Sequence, residues 1–225
     1  MKTIERCQSV VGIAIVGAML AAASTAAADK GSISVRQAAN PLAFNLNTEP
    51  ITLGPFLIGG GLLDRTREAV HVTGAVTGLS VPNAPYTAWW VVFNNPEACV
   101  GGFDCGPSDL TNPAANVAVF HATGFFSDSN GAASFSAHLE SGPLTDGTDV
   151  FLNDGDGVGL ERKNGLAAEI HIVIRGHGVA ADPNDGLLSF TVADQISLFN
   201  GGCVEAFGDP LDNCEDEQVL IFPAP

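Results

Sequence analysis

Apolar and polar residues alternate along 69–79: Val70, Val72 and Val76 fall on one side, His71, Thr73 and Thr77 on the other. Period-two alternation is the mark of a strand with one face in a core. Residues 169–175 repeat it, with Ile170, Ile172 and Ile174 inward. Their neighbours Glu169, His171 and Arg175 are then expected on a solvated face with cross-strand ion pairs. Residues 86–93, YTAWWVVF, depart from alternation, being almost continuously aromatic, β-branched or small. A short apolar run of this kind predicts a strand buried on both faces. Asn94-Asn95-Pro96 ends it, because proline has no N–H for the ladder and biases its predecessor away from helix. Trp89 and Trp90 are consecutive and face opposite ways, so one belongs to the core and the other, if surfaced, is a stacking platform for a sugar ring or partner.

The remaining chain is read the same way. Runs 116–126 and 132–140 flank Asn130-Gly131, a strong hairpin signal. Residues 187–199 suggest one or two further strands, and 218–222 a short last one. Residues 44–63 mix apolar positions with proline and Gly59-Gly60-Gly61, which predicts short strands around a flexible corner, while 143–165 is rich in Asp and Gly without sustained periodicity. No window shows helical periodicity, and there is no internal repeat. Many short strands between Gly/Pro/Asn/Asp turns predict an all-β fold: a single antiparallel β-sandwich or jelly-roll-like domain over residues 29–225.

Composition adds an address. Lys2 and Arg6, the apolar run 10–23 and Ala26-Ala27-Ala28 have the form of a secretory signal peptide over residues 1–28, too short in its apolar part for a comfortable membrane span. Cys7 precedes the apolar run and cannot be a lipoprotein cysteine. No later stretch reads as transmembrane, so the expected location is periplasmic or extracellular. The net charge of −16 repels nucleic acid and anionic lipid and excludes nucleic-acid binding as a function. Four cysteines follow the leader and allow three pairings. The most economical is Cys99–Cys105 with Cys203–Cys214, consistent with an oxidising compartment. Zinc is the competing account of these cysteines, although no C-x₂-C spacing supports it.

Two stretches, WWVVFNNPEAC (with the following Cys105) and AEIHIVIRGHG, resemble a group of exported bacterial all-β proteins of similar size, and the GGC…C segment near the C-terminus fits the same group. That group has no established activity, so the resemblance implies a fold and export but no functional residue. The Ile-His strand followed by glycine and histidine is also similar, over a shorter span, to the CHRD domain of secreted β-proteins.

Candidate chemistry is sparse. There is no Gly-x-Ser-x-Gly elbow, phosphate loop, His-Glu-x-x-His or Cys-x-x-Cys, which weighs against an enzyme without excluding a dispersed triad. In a two-residue Asn-Gly hairpin, Ser129 pairs with Ala132. Phe126, Gly124 and Ala122 then meet Phe135, Ala137 and Leu139 on an apolar face, and His121 faces Glu140 with His138 diagonal to it. Such partners lie about 5–8 Å apart at Cβ, so His121, His138 and Glu140 fall within reach of one zinc or copper ion, an ordinary His–Glu pair being the simpler account. The loop 144–161 carries Asp146, Asp149, Asp154, Asp156 and Glu161; Asp154 and Asp156 head the candidate calcium ligands, although NDGDGVGLE misses the EF-hand spacing, and a solvated surface loop is the simpler account. The reading these features support is an exported, disulfide-stapled, non-catalytic binding or surface-interaction module for a small-molecule, glycan or protein ligand. The alternatives are a zinc or copper protein, redox-active in the manner of copper–zinc dismutase sandwiches, and a secreted hydrolase using carboxylates of the 144–161 loop.

Overall fold

The structure, a computed structural model, describes residues 33–45, 52–100, 105–145, 148–153, 157–182, 184, 190–199 and 214–225. In chain order the strands are β1 (Val35–Ala39), β2 (Leu42–Asn45), β3 (Thr52–Phe56), β4 (Gly59–Arg65), β5 (Ala69–Val76), β6 (Pro85–Phe93), β7 (Val117–Phe126), β8 (Ala133–Glu140), β9 (Val150–Asn153), β10 (Glu169–Gly176) and β11 (Glu215–Phe222). One short helix, α1 (Val192–Gln195), precedes β11. The strands form two antiparallel sheets, ordered β1-β4-β5-β8 and β3-β2-β11-β10-β6-β7-β9. The fold is an all-β sandwich. No helix among the described residues is long and apolar enough to cross a membrane.

The core between the sheets is built by the alternation read above. Val70, Val72 and Val76 of β5 and Leu63 of β4 meet Trp90, Val92, Ile170, Ile172 and Ile174 of the larger sheet. Each such fully buried side chain contributes about 1.5–3 kcal/mol of transfer free energy. Strand β6 is buried at all nine positions and sits between β10 and β7. Gly59-Gly60-Gly61 belongs to β4 and is not a flexible corner. A Cβ at Gly61 would stand 2.9 Å from Leu220 Cδ1 and 3.0 Å from a Phe222 ring carbon, so the glycine lets the two sheets approach.

Three expectations are corrected. The Asn130-Gly131 turn forms, with Gly131 at φ 69° and the Asp128 carboxylate accepting from Asn130 N and Ala132 N. The strands beside it do not pair, however: β7 joins β6 and β9 in one sheet, and β8 joins β5 in the other. The connection is an arch across the sandwich. A bulge in β7 opposite Ala88/Trp89 then reverses the parity of its far end. Phe125, expected outside, stacks on Phe135 across the core at 5.4 Å, while Phe126 is 47% exposed. Residues 191–199 are not strand, since Thr191 and Asp194 close a reciprocal capping box on α1. Finally, β9 forms within the stretch that lacks periodicity, as a four-residue edge strand on β7.

Candidate functional site

The larger sheet has a second buried face. Trp89, Val91 and Phe93 of β6, Val173 of β10 and Val219 of β11 point away from the core, yet they form their own apolar cluster with Cys99 and Cys105. Two segments cover it. The first comprises the described residues 94–100 and 105–116, joined by the Cys99–Cys105 disulfide. Asp109 braces this loop, its two carboxylate oxygens accepting from Val100 N at 2.8 Å and Gly106 N at 3.0 Å. The second is the stretch from Thr191 to Phe199. Gly124 admits it, because a Cβ there would lie 2.1 Å from Ile196 O. Three side chains pin it: His121 Nε2 donates to Ile196 O at 3.1 Å, Asp149 Oδ2 accepts from Phe199 N at 2.8 Å, and Arg175 Nε donates to Phe199 O at 2.9 Å.

Between the two covers the sheet keeps a cavity of about 120 Å³. Its walls are Trp89, Val91, Phe93, Val119, Val173 and Val219 from the sheet, Pro107 and Leu110 from the stapled loop, and Phe151 and Phe199 at one end. Phe199 stacks on Phe151 at 3.7 Å, meets Trp89 edge-on at 4.9 Å and carries the Arg175 guanidinium 4.1 Å from its centroid. Phe151 is 53% exposed and marks the mouth.

Two polar side chains enter the wall, Asp216 and His171. Arg175 Nη1 donates to Asp216 at 2.9 Å; burial raises the Asp216 pKa while Arg175 opposes the shift. His171 is 7% exposed, and its Nε2 lies 2.7 Å from Glu169 Oε1. Glu169 is 1% exposed, its Oε1 also accepts from Cys105 N at 3.1 Å, and its Oε2 is buried without a protein hydrogen bond. Glu169, His171 and Arg175 do share one face of β10, as the alternation predicts. That face is not solvated, because the disulfide loop and the 191–199 segment lie over it.

Behind the cavity, Trp89 Nε1 donates to Thr87 Oγ1 at 2.7 Å, and Thr87 Oγ1 is 2.8 Å from His177 Nε2. His177 Nδ1 in turn faces the Cys214 sulfur at 3.4 Å. Gln195 ties this layer to α1 by donating to His177 O and Val179 O and accepting from Ala181 N. The glutamine and Phe199 were missed from sequence. The Thr-Val-Ala-Asp capping-box spacing at 191–194 is the signal that marks their helix.

The residues singled out as metal ligands are distributed differently. His121, His138 and Glu140 line a second cavity of about 460 Å³ at the open edge between the sheets. They come from two sheets and not from a paired hairpin. His138 lies 3.8 Å from Glu140 and beside His71, whereas the His121 ring nitrogen is engaged by Ile196. Among the described residues no three His, Cys, Asp or Glu side chains are grouped to hold a metal ion. Asp154, Asp156 and Cys203 lie outside the described residues, and the Cys203–Cys214 pairing with them; Cys214 is itself disulfide-bonded.

The Cys99–Cys105 bridge closes a loop of six residues' separation, for which loss of chain entropy corresponds to about 2 kcal/mol. The double variant Cys99→Ser/Cys105→Ser is expected to lose that amount in urea denaturation and to loosen the Cys105 N–Glu169 contact. A midpoint unchanged from the native protein would show that Asp109 alone holds the loop. No protein-family model, no curated protein and no solved structure matches the chain.

Proposed function

We propose that the chain is an exported, non-catalytic binding protein, and that the cavity on the outer face of the larger sheet takes a small, neutral, largely apolar ligand. The observation that carries this reading is the cavity itself. Protein interiors are packed close to crystal density. A gap of about 120 Å³ lined almost wholly by apolar side chains leaves those walls without packing partners, and an apolar guest supplies them. Apolar cavities of about 150 Å³ accept benzene, so a six-membered ring is the scale of group that fits. The acidic chain disfavours anionic ligands. Binding is favoured over hydrolysis through a serine, threonine or cysteine nucleophile, since none lies in the described wall beside His171. The leader sequence and the disulfide both support export.

Toluene added at ten times its dissociation constant is expected to raise Tm by about 3–5 °C. It should also perturb the emission of Trp89, which lines the cavity while Trp90 faces the core. Val173→Phe fills the hole from the centre of the wall and should abolish both responses with the circular dichroism of the strands retained. If toluene, benzene and cyclohexane all leave Tm and fluorescence unchanged, this is not a ligand site.

A further inference from the structure

We infer that the ligand is an aromatic or cyclic molecule carrying one hydrogen-bond donor of the phenol or alcohol class, held by Nδ1 of His171; this rests on the cavity being the ligand site. The argument is one of tautomers. Glu169 is fully buried, and its Oε1 accepts the Cys105 N–H at 3.1 Å, so that oxygen is oriented as an acceptor. His171 Nε2, 2.7 Å from the same oxygen, therefore carries a proton and donates it. In the neutral ring the proton is then absent from Nδ1, which becomes an acceptor. Nδ1 has no hydrogen-bond partner among the described residues, whereas the ring as a whole is fixed by Glu169 on one side and by Phe93, 5.0 Å between centroids, on the other. Asp216, the other polar side chain of the wall, has its Oδ1 held by Arg175 Nη1 at 2.9 Å.

The cavity thus offers an apolar slot the size of a ring with the fixed His171 imidazole in its wall, whose Nδ1 is the nitrogen that Glu169 does not engage. A donor on the ligand satisfies that acceptor. A ligand with only an acceptor, or with no polar atom, leaves Nδ1 unpartnered in an apolar environment. The carboxylate behind the ring makes the imidazole a stronger acceptor and holds its orientation, so Glu169 is a positioning residue.

The test compares phenol, anisole and toluene on the mature protein at pH 8 by calorimetry and Tm. In a pocket without an acceptor, burying the phenol hydroxyl makes phenol bind roughly ten- to a hundred-fold more weakly than toluene. With His171 accepting, phenol is expected to match or exceed toluene and to exceed anisole by about ten-fold. In the paired variant Glu169→Leu/His171→Leu, which leaves no buried carboxylate unpartnered, phenol should fall below toluene while toluene binding persists. The wild-type series decides the matter even if that variant does not fold. Phenol weaker than toluene in the wild type, or anisole equal to phenol, overturns the assignment to Nδ1 and leaves the apolar site standing. Binding of none of the three overturns both.

Discussion

Replacing Arg65 with alanine is expected to cost about 3–5 kcal/mol of stability, the range for breaking a buried, hydrogen-bonded charge. Arg65 is fully buried near the ends of both sheets. Its Nε donates to Gln37 Oε1, Nη1 to Gly165 O and Ala168 O, and Nη2 to Phe222 O and Pro223 O. One guanidinium thus joins β4, β1, the loop before β10 and the end of β11. Burial lowers its pKa to about 10, against the attraction of Glu169, which favours the charged form. Alanine removes every donor and deprives the buried Glu169 of that attraction. Arg65→Lys keeps the charge, but a compact ammonium cannot span acceptors arranged for a planar fork. About 2 kcal/mol should be lost there, so the series runs wild type, lysine, alanine. At roughly 2–4 °C per kcal/mol for a chain of this size, the alanine variant should melt about 10 °C lower. Urea titrations placing Arg65→Ala within 1 kcal/mol of wild type would show that the carbonyls find other donors.

None of this is visible in the pattern of residues, because the acceptors of Arg65 come from segments distant from it in sequence. What was legible depends on local rules. The alternation in β5 and β10 survives intact, since each strand has one face fixed to the core by its own side chains. The continuous apolar run of β6 correctly implies cover on both sides. The short spacing of Cys99 and Cys105 likewise correctly implies a local staple.

Apart from α1, which its local Thr191–Asp194 capping box marks, the misses share one cause: each was settled by partners distant in sequence. An Asn-Gly turn says that the chain reverses, but not whether the flanking strands pair or splay into facing sheets. Here both runs find better partners, β7 beside the wholly apolar β6 and β8 beside the alternating β5. The bulge in β7 is equally invisible, yet it decides which of Phe125 and Phe126 is buried. Polarity misled at Glu169 and His171. Charged residues on the second face of a strand usually mean water, but here Cys105 N and the stapled loop replace it. The apolar partners of that face, Trp89, Val91 and Phe93, were the available warning, because a sheet with a solvated outer face does not carry them.

Acidification should destabilise the protein between about pH 6.5 and 4, and much of that loss should trace to His177. Burial, reinforced by the positive charge of Arg175 and by His121, lowers its pKa from 6.5 to about 4. The hydrogen bonds suit a neutral ring: Trp89 N–H can only donate, so Thr87 Oγ1 accepts from it and has its own proton free for His177 Nε2. Nδ1–H then points at the Cys214 sulfur. A proton added to Nε2 would displace the Thr87 donor. The unfolded chain therefore takes up the proton near pH 6.5, whereas the folded one resists until about pH 4. Stability is full above the unfolded pKa, falls through this window as pH falls, and is flat below it, for a total of roughly 3 kcal/mol. Asp216 and Glu217 work in the opposite sense, because burial raises their pKa values in the folded state and protonating them favours it. The histidine is therefore isolated by difference. Unfolding free energies of wild type and His177→Gln, measured in urea at pH 7.5, 6.5, 5.5 and 4.5, should converge as pH falls, the variant being the less stable at pH 7.5. Parallel curves would mean that the buried imidazole is not what acid attacks.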